Sequence, residues 1–163
     1  MRRLALLVVA SVVAIAGCVA AGAASSQALP AGVERPVTPR TYPTGGISLA
    51  QPGGELATVN ATSAYGVCAS GEANCPVGPP GLAELALTTD SQYGDIKPDG
   101  SVTHSIQNRL TWVFTWNTIA CPPRLGPKPP AGQTNAPAVC DWLVIVDAQT
   151  GRFLITYAGP AGM

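Results

Sequence analysis

Charge is scarce in this chain. Lys, Arg, Asp and Glu make up 11% of 163 residues, nine basic against nine acidic, with a single histidine, His104. No basic patch or stripe occurs, so the electrostatic footprint of a nucleic-acid binder is missing. One histidine leaves one position for a Ser/His/Asp arrangement. His104 lies between Thr103 and Ser105 in a polar stretch, and no Gly-x-Ser-x-Gly occurs, so it is not read as catalytic. Metal-type Cys-x-x-Cys spacing is absent, and His104 is remote in sequence from every cysteine. No phosphate-cradling glycine motif occurs. Glu72 and Glu84 fall in different segments, so no carboxylate pair can be argued. Asp90, Asp95 and Asp99 surround turn signals without EF-hand spacing and read as solvated turn acids. No cofactor is expected.

Gly and Pro, by contrast, are abundant: 18 and 16 residues. That favours a loop-rich β protein over a helical bundle. The chain opens with Met1-Arg2-Arg3, a short basic region, followed by an apolar run from Leu4 to Ala16 that is too short to read as a spanning helix. Ile15-Ala16-Gly17-Cys18 then resembles a bacterial lipobox, which implies cleavage before Cys18 and lipidation of that cysteine. Ordinary secretion with cleavage near Ser26-Gln27-Ala28, and an uncleaved anchor, are the alternatives. Each puts the folded part outside the cytoplasm. Contact with the membrane is expected only through the leader or its lipid. Without Arg2 and Arg3 the balance is 7 basic to 9 acidic residues, a net charge of about −2.

With Cys18 set aside, Cys68, Cys75, Cys121 and Cys140 remain. An even number in an exported chain predicts two disulfides, and of three connectivities the local one, Cys68–Cys75 with Cys121–Cys140, is preferred. Closing the larger loop is worth about 3 kcal/mol in the chain-entropy picture.

The domain organisation expected is a leader over residues 1–18, a flexible linker over 19–46 that is rich in Ala, Ser, Pro and Thr, and one disulfide-bonded domain over 47–163. Within the domain, Ile47 to Ala50 reads as a short strand. Glu55 to Tyr65 reads as a short helix, with Leu56, Val59 and Tyr65 on one face. Asn60-Ala61-Thr62 matches an N-glycosylation pattern but is read as chance in a bacterial chain. Leu82 to Asp90 reads as a strand with Ala83, Leu85 and Leu87 inward. Tyr93-Gly94-Asp95 and Pro98-Asp99-Gly100 are turn signals.

The organising stretch is Arg109 to Ala158. From Arg109 to Ile119, Leu110, Trp112, Phe114 and Trp116 alternate with Thr111, Val113, Thr115 and Asn117, which predicts a half-buried strand. Asp141 to Asp147 and Arg152 to Ala158 follow as strands, joined by a hairpin in which Gly151 takes the left-handed region. The aromatic residues Trp112, Phe114, Trp116, Trp142, Phe153 and Tyr157 follow this alternation and read as core and cross-strand packing. The fold class is α+β and strand-dominated: a small antiparallel meander sheet, at most one or two short helices, and Pro/Gly-rich loops.

Val144-Ile145-Val146-Asp147 followed by Ala148-Gln149-Thr150-Gly151-Arg152-Phe153-Leu154 resembles the closing hairpin of PepSY-type domains, small extracytoplasmic α+β modules. The resemblance covers only this hairpin. It implies a binding or inhibitory module and carries over no catalytic residue.

The best interaction candidate is the segment between Cys121 and Cys140. Pro122, Pro123, Pro127, Pro129, Pro130 and Pro137 stiffen it, and Arg124 and Lys128 make it basic. A stiff segment loses less entropy on docking. Arg124, Lys128, Pro129 and Pro130 are the expected partner-binding residues; a tolerated surface insertion is the bland alternative. The expected function is an exported, lipid-anchored, non-enzymatic envelope module that binds a protein or glycan partner, with protease regulation as one form. A small secreted hydrolase with an unrecognised site and a purely structural lipoprotein are the alternatives.

Overall fold

A computed structural model describes residues 28–42, 45–121 and 139–160. Its elements are β1 (Glu34–Pro36), β2 (Arg40–Tyr42), β3 (Ile47–Ala50), α1 (Ala61–Ser70), β4 (Leu82–Asp90), β5 (Gly94–Ile96), β6 (Val102–His104), β7 (Arg109–Ala120), β8 (Val139–Asp147) and β9 (Phe153–Pro160). The main sheet runs β2-β3-β4-β7-β8-β9, antiparallel throughout, with β1 added in parallel to β4. β5 and β6 form a separate two-stranded arm. The expected strand-dominated α+β class is the observed one.

The last three strands are the expected meander. The β8–β9 turn forms as the sequence predicts: Gly151 has φ +73° and its amide donates to the Asp147 carbonyl at 2.8 Å. The Asp147 carboxylate reinforces the turn, accepting from the amides of Gln149 and Thr150 and from the Thr150 hydroxyl at 2.9, 2.7 and 3.0 Å.

One face of the sheet carries the tryptophans and is covered by α1. The helix presents Ala61, Ala64, Tyr65 and Val67 to it. Tyr65 packs on Phe114 and Trp116 at centroid distances of 5.4 and 6.3 Å. Trp112 and Trp116 bury their ring bodies but keep a partner for each N–H, the carbonyls of Val59 at 2.6 Å and Gly78 at 3.0 Å.

The helix lies later than its expected place. Asn60 is its N-cap, with the side chain accepting from the Ser63 amide at 2.8 Å, and Gly71 ends it at φ +78°. Residues before the cap are bonded elsewhere. The amides of Thr58 and Val59 donate to the Ala148 carbonyl, both at 3.0 Å, which straps the segment to the β8–β9 turn.

The opposite face is also buried, which corrects the half-buried reading of β7. Val113, Leu143 and Ile145 are fully buried there, together with Thr111 and Thr115. The reason is curvature. β2 and β9 stand at opposite ends of the strand order, yet the Tyr42 and Tyr157 rings are 5.8 Å apart. The sheet therefore curls until its two ends meet, and the inner face becomes a second core that includes Ile47 and Leu49. β4 shows the same effect. Ala83 is buried and Leu85 and Leu87 half-buried as expected of the tryptophan side, but Glu84, Ala86, Thr88 and Asp90 on the other side are buried as well.

The expected linker over 19–46 reaches too far. Val33, Val37 and Tyr42 are buried, and β1 and β2 belong to the sheet. β1 and β3 share one edge of β4: β1 pairs with Ala83–Leu85, β3 with Leu87–Asp90. Three apolar anchors and these backbone bonds hold a stretch whose composition alone reads as coil.

Candidate functional site

Both disulfides connect as the local pairing predicts. Cys68 and Cys75 have Cα atoms 5.4 Å apart, and Cys121 and Cys140 5.0 Å. The first ties the end of α1 to the loop after it. The second closes the open end of the β7–β8 hairpin. Two disulfides indicate an oxidising, extracytoplasmic environment. Among the described residues no helix is long and apolar enough to cross a membrane.

The expected docking residues Arg124, Lys128, Pro129 and Pro130, and the expected lipidation site Cys18, lie outside the described residues. The base of the docking segment is described. Ile119 pairs with Cys140 and Ala120 with Val139, after a register shift between Trp116 and Ile119. Thr118 sits in that bulge at φ +55°, a conformation that β-branched residues rarely adopt. Its amide donates to the buried Asp141 carboxylate at 3.1 Å.

The other candidate side chains do not converge. Asp99 is an exposed turn residue that accepts from the Ser101 amide and hydroxyl at 2.9 and 2.6 Å; those bonds hold its carboxyl below the usual range. Asp90 is not solvated as expected. It is fully buried on the inner face, where Oδ1 accepts from the amides of Gln92 and Tyr93 at 2.8 and 3.1 Å and shapes the exit from β4, while Oδ2 has no partner. His104 pairs with Gly94 in the arm, and its Nδ1 is buried without a partner. The side chain of Asp95 is outside the described set. Among the described residues no three His, Cys, Asp or Glu side chains come together as a metal site would require.

Two ion pairs lie on the inner face. Arg40 of β2 reaches over β3 to Glu84 of β4 through both terminal nitrogens, one of them at 2.9 Å, and Glu84 also accepts from the Thr38 amide at 3.2 Å. Every guanidinium nitrogen of Arg40 is engaged, since Nε donates to the Tyr42 hydroxyl at 2.7 Å. Burial alone would lower its pKa, but the bonds to Glu84 and Tyr42 and their charges outweigh it, and the pKa is raised. Glu84, one of two glutamates the sequence could not pair, is thus a structural partner of arginine.

The second pair differs. Arg109, the first residue of β7, donates to Asp147 through Nε alone. Its side chain is 42% exposed, and its terminal nitrogens have no partner among the described residues. Burial tends to raise the Asp147 pKa, but the bonds from Thr150, Arg109 and Gln149 prevail and lower it.

Arg109 forms part of the wall of a cavity of about 330 Å³, with Tyr93 and Ser105 flanking the arm, Ile106, and Leu154 and Ile155 at the start of β9. Sequence reading passed over these residues. They come from three separated segments, and only the curl of the sheet assembles them.

The chain matches no protein-family model, no curated protein and no solved structure.

Proposed function

We propose that this protein is a non-enzymatic, exported binding module of a bacterial envelope, lipid-anchored through Cys18, that docks a protein partner with the segment between Cys121 and Cys140. The observation that carries the reading is the staple itself. It fixes both ends of a proline-stiffened segment 5.0 Å apart at Cα, at the end of a strand pair buried on both faces. A presented segment costs less entropy to dock than a free one. Arg124 and Lys128 supply cations beside Pro129 and Pro130, which suits an acidic or extended partner surface. Glu84 and Asp147 are engaged with arginines and Asp99 with its own turn, which suits structural roles for these three carboxylates. The PepSY-like closing hairpin agrees with a binding or inhibitory role, protease regulation included.

The test is crosslinking in the native envelope with mass-spectrometric readout. A partner captured through residues 122–139 is expected, and capture lost when that segment is replaced by a Gly/Ser linker with both cysteines kept. Crosslinks confined to other surfaces overturn the docking segment. For the anchor, Cys18→Ser is expected to abolish lipid labelling; unchanged membrane retention and mobility overturn it.

A further inference from the structure

The curl of the sheet closes tightly at one level and leaves a gap at another. β2 ends at Tyr42, whose ring lies 5.8 Å from that of Tyr157 in β9, and the Tyr157 ring also fills the space that a Cβ on Gly45 would need. Nearer the start of β9 the contact opens. Leu154 and Ile155 share the cavity of about 330 Å³ with Tyr93, Ser105 and Ile106 at the base of the β5–β6 arm, and with Arg109 at the head of β7. Ligand pockets favour the mouths of barrels, and a curled sheet offers the same kind of concavity.

The composition of the wall narrows the occupant. Ile106, Leu154 and Ile155 are apolar, and Arg109 brings a cation. The pair with Asp147 does not exhaust that cation. Oδ1 of Asp147 accepts three bonds from its own turn, and Oδ2 takes Nε of Arg109. The two terminal nitrogens keep their fork for another acceptor, and that geometry matches a carboxylate. Arg40 on the same face is the contrast: its nitrogens are all spent inside the protein. Among the described residues no carboxylate lines the cavity, so an ammonium on a ligand would find no counter-charge there. Asp90 stands behind the wall and fixes it. Its Oδ1 holds the Tyr93 amide at 3.1 Å, and its own amide donates to the Ile106 carbonyl at 2.9 Å.

We propose that this cavity binds a small monocarboxylate with a short apolar tail, the carboxylate on the Arg109 fork and the tail against Ile106, Leu154 and Ile155. A volume of about 330 Å³ is near the lower end of the roughly 300–1,000 Å³ range of ligand pockets, which suits a small acid. The Tyr42–Tyr157 contact closes the seam beyond the cavity, so the residues preceding a peptide terminus would have no open edge to follow. A free acid needs none. The site goes beyond the docking segment and lies elsewhere in the fold: Arg109 and Ala120, at the stapled end, are the two ends of a 12-residue strand, roughly 36 Å apart.

The experiment uses the exported chain with both disulfides formed. Five probes are titrated: butanoate, hexanoate, hexanamide, leucine, and an acetylated hexapeptide ending in leucine. Binding is followed by calorimetry and by NMR shifts of the Leu154 and Ile155 methyls. Hexanoate is expected to move those methyls and to bind about fifteen-fold more tightly than butanoate, since each buried methylene contributes about four-fold. Hexanamide is expected to bind at least about ten-fold more weakly than hexanoate, and leucine and the hexapeptide more weakly than hexanoate as well. Arg109→Gln is expected to remove the preference for acid over amide. Because that change also takes a partner from Asp147, Leu154→Trp serves as a second variant, which fills the cavity, leaves the ion pair in place and is expected to abolish hexanoate binding. The acid–amide comparison is made on the parent chain and depends on neither variant folding. Equal binding of hexanoate and hexanamide, equal binding of butanoate and hexanoate, or no methyl shift with hexanoate up to about 10 mM overturns the proposal. Leucine or the hexapeptide binding more tightly than hexanoate also overturns it, the first giving the cavity to amino acids and the second to a peptide terminus. Partner capture through 122–139 depends on none of these outcomes, so the docking reading and this site stand or fall separately.

Discussion

Thr118 holds a left-handed backbone, φ +55°, and gives its amide to the carboxylate of Asp141 on the neighbouring strand. A β-branched residue in that conformation is penalised, and the bond to a buried acceptor keeps it there. Thr118→Gly is expected to stabilise the protein by about 1 kcal/mol, because glycine adopts the conformation without the steric cost. Asp141→Ala is expected to cost about 1–3 kcal/mol, through the lost acceptor. Urea midpoints of the two variants check both signs. A destabilised Thr118→Gly would show that the conformation carries no strain.

The ring of Tyr157 occupies the space where a Cβ on Gly45 or Gly159 would stand. Gly45→Ala is therefore expected to push apart the two ends of the curled sheet. A loss of roughly 1–3 kcal/mol is expected, typical of overpacking. The tyrosine signal in near-ultraviolet circular dichroism is expected to change along with it. A variant as stable as the parent with unchanged spectrum would mean that the two ends do not meet in solution.

Removing one partner of the Arg40–Glu84 pair strands the other charge in a low-dielectric interior. Arg40→Met is expected to cost about 3–5 kcal/mol, and the double change Arg40→Met with Glu84→Leu to cost less than that single one. Thermal melts of the single and double variants decide it. A double variant less stable than Arg40→Met would show that the pair contributes more than its desolvation takes away.

The Asp147 carboxyl titrates below its unfolded value, so its contribution has a definite pH dependence. A depressed carboxylate stabilises the fold fully above the unfolded pKa of about 3.9, and the contribution is lost as pH falls through the folded value. The protein is expected to lose stability below about pH 4, and Asp147→Asn to flatten that acid limb. Unfolding free energies measured across the acid range test it. Identical slopes in parent and variant would remove Asp147 from the account of acid stability.

Much of the sheet was legible because its later strands are long and punctuated. β7 shows eight residues of alternation, Leu110 to Asn117, and Gly151 marks the sharp reversal between β8 and β9. The cysteine spacing alone favoured the pairing observed. What escaped reading depended on distant partners. β1 and β2 are three residues each, too short for periodicity, and exist because β4 and β3 respectively offer them an edge. Thr111 and Thr115 look like a solvent face in sequence and are buried only because the sheet curls; Thr111 bonds Thr88 at 2.6 Å across the strands. The helix start was visible in principle: Asn60 is a good cap residue, whereas Leu56 and Val59 suggested an earlier turn. The Arg109 cavity leaves no local signature at all, since its residues share no motif.

The Cys121–Cys140 bridge also frees the hairpin from the length and composition of what it encloses. Register is held by the covalent clamp and by the paired residues beneath it, Ile119 with Cys140 and Ala120 with Val139. The enclosed residues are therefore a natural grafting position, where foreign sequences can be displayed while the framework folds unchanged.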